Sequence, residues 1–278
     1  MKETLILESK KIYEQGLEEL KKEIEELHLQ PRLDIFFIGN NKESEIYVNH
    51  KKNAGKKIGI EVNVHKFEEN ASPDEVKKAI KEINSIKGNG IIIQLPIPKH
   101  LNQFELINFI DPKKDVDGIT STNLGLLIQE KPYHYPCTPK GVIDTFNFYK
   151  IQLKSKRVCI INRSIIVGKP LFHMLLNENS TVTICHSKTE NLQEITKHSD
   201  IVICAIGKAK FFNRNYFNEN SIVIDVGINR VEDKIYGDVD FDNVKGFVKA
   251  ITPVPGGIGK LTVLNLLKNT LNAAKMSN

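Results

Sequence analysis

The sequence predicts an α/β protein built as two domains. Three observations carry that reading. Segments with helical spacing alternate with short apolar runs along the whole chain, the rhythm that layers helices on parallel sheet. A length of 278 residues suits two domains better than one. A second strand–helix series restarts after Pro136-Cys137-Thr138-Pro139, where the prolines punctuate the pattern.

The elements follow in order. An opening helix places Ile12, Leu17, Leu20, Ile24 and Leu27 at spacings near 3.6, with Lys and Glu on its other face. An apolar strand over 33–38 is stopped by Gly39-Asn40-Asn41. A helix is expected over about 44–57 and a strand near 60–67. Ser72 then caps a helix with Pro73 at its first position, where a missing N–H costs nothing. A buried strand over 90–95 ends at Pro96. In the second series a helix over 139–149 leads into a strand at 157–161. Further strands follow at 181–185, 200–206 and 221–226, with helices between the first three. That is the rhythm of a doubly wound nucleotide-binding domain. The tail, 262–274, is amphipathic through Val263, Leu266, Leu267, Thr270, Leu271 and Ala274, and is expected to pack back on the first domain. One domain is therefore assigned 1–136 plus 253–278 and the other 137–252, with a cleft between them.

Composition narrows the function. The net charge of +5 is mild and the lysines are dispersed, without the basic, aromatic-rich stripes of nucleic-acid binders. A phosphorylated or carboxylated small molecule suits this charge. Cys137, Cys159, Cys185 and Cys204 show no C-x-x-C pairing and read as small buried hydrophobes in a reducing compartment. No metal site is expected. Met1-Lys2-Glu3 lacks an apolar stretch behind it, and no run reaches membrane-spanning length. A cytoplasmic protein with no membrane or nucleic-acid partner is expected.

After the strand at 157–161 the chain reads Asn162-Arg163-Ser164-Ile165-Ile166-Val167-Gly168-Lys169-Pro170. Phosphates bind where a parallel strand turns into a helix, because the first N–H groups there lack partners and the dipole favours anions. Gly168 permits close helix–strand approach, although the run is not G-x-G-x-x-G. The next strand ends in Cys185-His186-Ser187-Lys188, with no acid where an NAD site places one for the ribose. With Arg163, these basic and hydroxyl groups suit the 2′-phosphate of NADP; the alternative is solvated loop charge.

Tyr47 and Lys51 stand four apart on one helix face, so an aromatic can stack on a planar ligand while an amine reaches it. The same spacing also serves surface decoration. Gln94 ends an otherwise apolar strand, where α/β sites collect ligand contacts. Lys114-Asp115-Val116-Asp117-Gly118 holds two carboxylates, either of which suits N–H donors of a heterocycle, or an acidic turn. Thr252-Pro253-Val254-Pro255-Gly256-Gly257-Ile258-Gly259 stiffens the chain and then strips it of Cβ atoms. That fits an interdomain turn or backbone passing close to a flat ligand.

Together these segments resemble the bifunctional methylenetetrahydrofolate dehydrogenase/cyclohydrolase family over nearly the whole chain. The matching pieces also include Gln94-Leu95-Pro96-Ile97-Pro98, Pro136-Cys137-Thr138-Pro139-x-Gly141, Cys185-His186-Ser187-Lys188-Thr189 and Asp225-Val226-Gly227-Ile228-Asn229. The resemblance implies NADP-dependent oxidation of 5,10-methylenetetrahydrofolate to the methenyl cation, then hydrolysis to 10-formyltetrahydrofolate. It implies a Rossmann-like second domain and makes Lys51 the central catalytic group. Tyr47 would stack on the folate, Gln94 orient the lysine and Asp117 hold the pterin. Pro255, Gly256 and Gly257 would close over the folate. Cofactor contacts are implied at Asn162, Arg163, Ser164, Val167, Gly168, His186, Ser187 and Ile228, and a homodimer through the NADP-binding domains.

The chain departs from the family pattern in three places. Asn162 stands where Gly usually precedes Arg-Ser, and Lys260-Leu261-Thr262 stands where Pro-Met-Thr is usual. Ala209 replaces a usual proline. Asn tolerates left-handed geometry, so the first turn is expected to survive. A non-catalytic binding protein would be expected to have lost Lys51 or Asp117, and both are present.

Overall fold

The computed structural model describes residues 3–277. The first half of the chain runs β1 (Leu5–Ile6), α1 (Lys10–Glu26), β2 (Arg32–Ile38), α2 (Lys42–Ile58), β3 (Glu61–Phe67), α3 (Pro73–Asn84), β4 (Asn89–Ile93), α4 (Gln103–Ile107), α5 (Ser121–Ile128) and α6 (Cys137–Phe148). The second half runs β5 (Arg157–Ile161), α7 (Gly168–Asn177), β6 (Thr181–Cys185), α8 (Leu192–Lys197), β7 (Ile201–Cys204), β8 (Ile222–Asp225), β9 (Asn229–Val231), β10 (Lys234–Tyr236), α9 (Phe241–Val244), β11 (Ala250–Ile251) and α10 (Ile258–Met276). Two compact units result. One holds residues 15–137 and the chain from Val263 on; the other holds the chain up to Glu14 and Thr138–Thr262.

This division differs from the sequence-based boundaries at both ends. β1 pairs in parallel with β11, Leu5 opposite Ala250 and Ile6 opposite Ile251, which ties the first strand to the second unit. Two paired residues carry no periodicity, so the sequence offered no sign of them. Residues 253–262 also group with that unit, and the tail joins the first unit only from Val263.

The unit holding residues 15–137 contains a three-stranded parallel sheet in the order β3-β2-β4. β2 is central, and every residue after Arg32 is buried, as a strand covered on both faces requires. Its Phe36 and Ile38 join Val76, Ile80, Ile91, Ile93 and Leu106 in one apolar cluster. Burying side chains of this size contributes about 1.5–3 kcal/mol each. Along α10, Leu264, Leu266, Leu267 and Leu271 are buried. A Cβ at Gly16 would lie 2.6 Å from Leu264, so that glycine lets α1 and α10 approach.

Asp34 breaks the apolar run of β2, yet is fully buried. Its carboxylate accepts Arg32 Nη2 at 2.7 Å, His65 Nε2 at 2.8 Å and Asn89 Nδ2 at 3.0 Å. Asn89 passes the network on, its Oδ1 accepting Lys114 Nζ at 2.9 Å. Residues 114–116 then run along the open edge of β4, with Ile91 N donating to Lys114 O at 2.7 Å. Gly90 makes room, since a Cβ there would lie 2.4 Å from Val116. Asp117 is thereby delivered next to the carboxyl end of β4.

The other unit carries a six-stranded parallel sheet in the order β1-β11-β8-β7-β5-β6. β5 lies between β6 and β7, so successive connections leave it in opposite directions. In such doubly wound sheets ligands bind outside the carboxyl ends at this switch point. Cys159, Cys185 and Cys204 pack in this unit's core with Phe212, Phe217 and Val239, and all four cysteines are free and buried.

Element ends differ from the sequence reading where a cap was missed. α2 begins at Lys42 because Asn41, read as part of a strand stop, caps it by accepting Ser44 N. α1 ends at Glu26, leaving Leu27 exposed. β4 ends at Ile93, which sets Gln94 just beyond the strand.

Asp34→Ala is expected to cost about 3–5 kcal/mol, because Arg32 and His65 would face a buried gap. Urea denaturation measures it: the midpoint should fall at unchanged slope, and an unmoved midpoint would mean that the network is decorative.

Candidate active site

α2 exposes why Lys51 is not a surface lysine. Ser44, Val48, Lys51, Ala54, Gly55 and Ile58 form its buried stripe, so helical spacing alone turns the amine inward. Lys51 is 9% exposed. Its Nζ donates to Gln94 Oε1 at 2.9 Å. Gln94 Nε2 in turn donates to Leu95 O at 2.8 Å, which fixes the amide with its oxygen toward the lysine. The backbone is held too: Gln94 N donates to Phe36 O at 2.9 Å, continuing the sheet past β4.

Burial lowers the Lys51 pKa, opposed by the charge of Asp117 and more weakly by Cys137. Burial raises that of Asp117, opposed by Lys51, while Asp115 pushes it further up. Each group is driven toward its neutral form by desolvation and toward its charged form by the other. Tyr47, one turn before Lys51, is 37% exposed and offers its ring at the surface.

The two carboxylates differ in their hydrogen bonds. Asp115 accepts Gly118 N at 3.0 Å, Thr120 N at 2.7 Å and Asn123 Nδ2 at 2.9 Å, so it builds the turn. Asp117 is the one coupled to the lysine. Gly118 has φ +71°, and a Cβ there would lie 2.7 Å from His134 O, so the turn accepts only glycine. Cys137, read from sequence only as a small buried hydrophobe, stands beside this pair. Its Sγ donates to Val116 O at 3.2 Å, and burial together with Asp117 holds the thiol protonated.

The residues expected to contact the nucleotide gather at the carboxyl ends of neighbouring strands. Ile161 pairs with Cys185, which sets Asn162 and His186 side by side past β5 and β6. Asn162 Oδ1 accepts Ser164 N at 2.7 Å and Gly168 N at 2.9 Å, and its Nδ2 donates to Ala205 O. Ser164 Oγ accepts Val167 N at 3.1 Å. The expectation that the first N–H groups of this helix lack partners therefore fails. The Asn162 side chain takes Gly168 N, and Ser164 O takes Lys169 N. A Cβ at position 168 would lie 2.1 Å from Asn162 O, the close approach expected of that glycine.

Arg163 and Ser187 are exposed, and no acid follows β6 until Glu190. His186 N donates to Thr189 Oγ1 at 2.9 Å, and its Nδ1 accepts Lys188 N at 3.1 Å, forming a tight turn. Ile228 is exposed just past β8. Two carboxylates, Asp225 of the run 225–229 and Asp238, which no sequence motif marks, build this rim. Asp238 accepts Ile206 N, Gly207 N, Lys208 N and Asn229 Nδ2. Asp225 binds Gly227 N, Asp238 N and Val239 N, and burial pushes its pKa up to about 7. The available signals are a carboxylate ending apolar β8 at Asp225 and another, Asp238, two residues beyond β10.

In the proline–glycine run, Gly256 has φ +110° and Gly257 lies so close to Pro253 that a Cβ would be 2.5 Å from its carbonyl. Ser9 Oγ donates to Gly256 O at 2.8 Å. Two of the glycines thus serve the loop's own backbone, with Pro255 exposed at its crest. Of the departures from the family pattern, Leu261 is fully buried, while Lys260 is exposed with Nζ 5.9 Å above the Tyr13 ring.

A doubly wound nucleotide-binding unit, joined to a unit with a buried lysine held by a glutamine and influenced by the charge of an aspartate, defines a cofactor-dependent enzyme. Family models for the tetrahydrofolate dehydrogenase/cyclohydrolase catalytic domain match residues 7–117, and for its NAD(P)-binding domain residues 136–278. A bifunctional FolD protein of Thermodesulfovibrio yellowstonii is 47% identical over 276 residues, covering 98% of this chain and 96% of that one. A bifunctional methylenetetrahydrofolate dehydrogenase/cyclohydrolase structure from Thermoplasma acidophilum is 40% identical, with TM-score 0.93 over 98% of both chains. One from Trypanosoma brucei, complexed with NADP cofactor and inhibitor, is 31% identical with TM-score 0.95, covering 100% of this chain and 99% of that one. The chain belongs to the tetrahydrofolate dehydrogenase/cyclohydrolase family. Among the described residues no helix is long and apolar enough to cross a membrane.

His134 tests the packing behind the site. It is buried, with Nε2 bonded to Lys113 O at 2.8 Å and Nδ1 without a partner. Burial lowers its pKa below 6.5, against the pull of the Lys113 carbonyl and Asp115. The unfolded chain thus binds this proton more readily, so stability is fully present above pH 6.5 and falls as pH drops through it. Melting temperatures between pH 8 and pH 5 should fall less for His134→Phe than for the wild type; identical falls would show that His134 does not contribute.

Proposed function

We propose that the chain oxidises 5,10-methylenetetrahydrofolate with NADP and hydrolyses the methenyl product to 10-formyltetrahydrofolate, with Lys51 as the central catalytic group and the proton manager of the second step. The observation that carries this is the buried Lys51 amine, held by Gln94 at 2.9 Å and coupled to Asp117. NADP, when bound, accepts the hydride from the methylene carbon. The residues after β5 and β6 fit it: Arg163 and Ser187 offer cationic and hydroxyl groups to a 2′-phosphate, in a region with no ribose-directed acid. Asn162, Ser164, Val167 and Gly168 shape the turn beneath it, and His186 and Ile228 complete its rim.

Asp117 holds the folate heterocycle through its N–H donors, and Tyr47 stacks on the adjoining ring system. The family resemblance supports folate contacts at Pro255, Gly256 and Gly257. Lys51 manages the proton of the water that adds to the methenyl carbon. A desolvated amine is suited to that work because a larger fraction is neutral at ordinary pH. Gln94 cannot take up that proton, and acts by fixing the direction of the amine. The family resemblance also supports pairing of two copies through the NADP-binding units, and a cytoplasmic location.

The test follows reduced cofactor and the methenyl chromophore together, with methylenetetrahydrofolate and either NADP or NAD. NADPH should appear without matching methenyl accumulation. Lys51→Met should slow hydrolysis roughly 100-fold or more, while NADP affinity measured by calorimetry stays unchanged. Hydrolysis at the wild-type rate would remove Lys51 from the mechanism.

A further inference from the structure

Asn269 on the last helix reaches the segments that flank Asp117. Asn269 Nδ2 donates to Val116 O at 2.8 Å and to Tyr135 O at 2.9 Å, and lies 3.6 Å from Cys137 Sγ. An amide nitrogen carries two hydrogens, so the two carbonyls use them fully and the thiol is a weaker third contact. Val116 immediately precedes Asp117, and Tyr135 and Cys137 belong to the segment packed against Gly118. Asn269 therefore joins the two segments that flank the carboxylate. Val116 O is doubly held, since it also accepts Cys137 Sγ at 3.2 Å. The platform is rigid: Leu266, Leu267, Thr270 and Leu271 around Asn269 on α10 are all buried.

We propose that Asn269 is a positioning residue for the Lys51–Asp117 pair, acting through the Val116 carbonyl and the Cys137 thiol. The inference rests on the function proposed above. Without the amide, the edge segment 114–117 keeps its pairing to β4 and the turn made by Asp115, so the fold persists. What it loses is the restraint on the last residue of that segment. Misplacements of about 1 Å at a reacting centre cost on the order of 100-fold, and a carboxylate that drifts from a buried amine also changes the amine's proton affinity.

The experiment compares wild type, Asn269→Leu and Asn272→Leu. Asn272 lies three residues on in α10 and donates to Tyr133 O at 3.2 Å, so its variant also removes a helix-to-segment bond, but away from Asp117. Asn269→Leu should lower kcat for methenyl hydrolysis roughly 10- to 100-fold, with NADP affinity unchanged. Asn272→Leu should retain wild-type kcat. In parallel, the Lys51 side-chain carbon resonance, assigned by its absence in Lys51→Arg, is followed against pH. Its titration midpoint should move in Asn269→Leu and not in Asn272→Leu. Equal losses in both variants, or a Lys51 midpoint unmoved in Asn269→Leu, would overturn the proposal. A moved midpoint in a protein that is inactive even as wild type would sustain the positioning role and sink the proposed function instead. If Asn269→Leu does not fold, Asn269→Ser takes its place, with the same expected shift.

Discussion

Burying the Lys51 amine is the constraint on which the first unit is organised. Taking an ammonium out of water costs several kcal/mol even after relaxation, and the cost is recovered only by well-placed partners. Here one partner is a neutral amide oxygen at 2.9 Å, and the half-buried Asp117 carboxylate acts on the amine through its charge. Neither tolerates drift. The stripe of α2, the end of β4 and the edge segment 114–117 must therefore be fixed independently of one another and then meet. Asn41 fixes the first by capping, Phe36 O the second by extending the sheet, and the pairing of Ile91 with 114–116 the third.

Buried carboxylates supply much of that fixing. Asp34, Asp115, Asp225 and Asp238 each accept several donors and are spent on structure. Carboxylates so used turn otherwise unpaired N–H groups into rigid corners, at the ends of strands where chains must change direction. Asp117 differs in that burial raises its pKa while the charge of Lys51 is the largest influence opposing that rise. A buried acid is a commonplace of this fold; the informative one is the acid that the backbone leaves to a lysine.

Those differences set what the sequence could reveal. Long elements were legible because burial stamps a period on them: α1, α2, β2 and the strands β5 to β8 were read with small errors at their ends. β1, β11, the β9–β10 hairpin and helices α4, α5 and α9 are too short to show one. Lys51, Gln94 and Asp117 were legible as polar residues in revealing places, and the family resemblance gave them roles. Asn269 was not, because an asparagine on an amphipathic helix looks like any solvated residue until its neighbours across space are known. Asn162 is legible as a departure and, through the resemblance, as a cofactor contact, but not as a side chain that closes its own turn. Its side chain instead consumes the N–H groups that generic phosphate binding would use.

The proposed chemistry explains why one amine carries such support. Hydride transfer asks the enzyme chiefly for position, since the electron pair leaves the methylene carbon for the cofactor and no side chain need change its protonation. Hydrolysis asks for a group that takes up a proton and releases it again. A lysine in water is too basic to release it, and one buried without a carboxylate would be too reluctant to take it. Desolvation lowers the proton affinity of Lys51 while Asp117 opposes the fall. The balance is set by how firmly Asp117 is held, so the restraints on residues 114–117 bear on the second reaction far more than on the first.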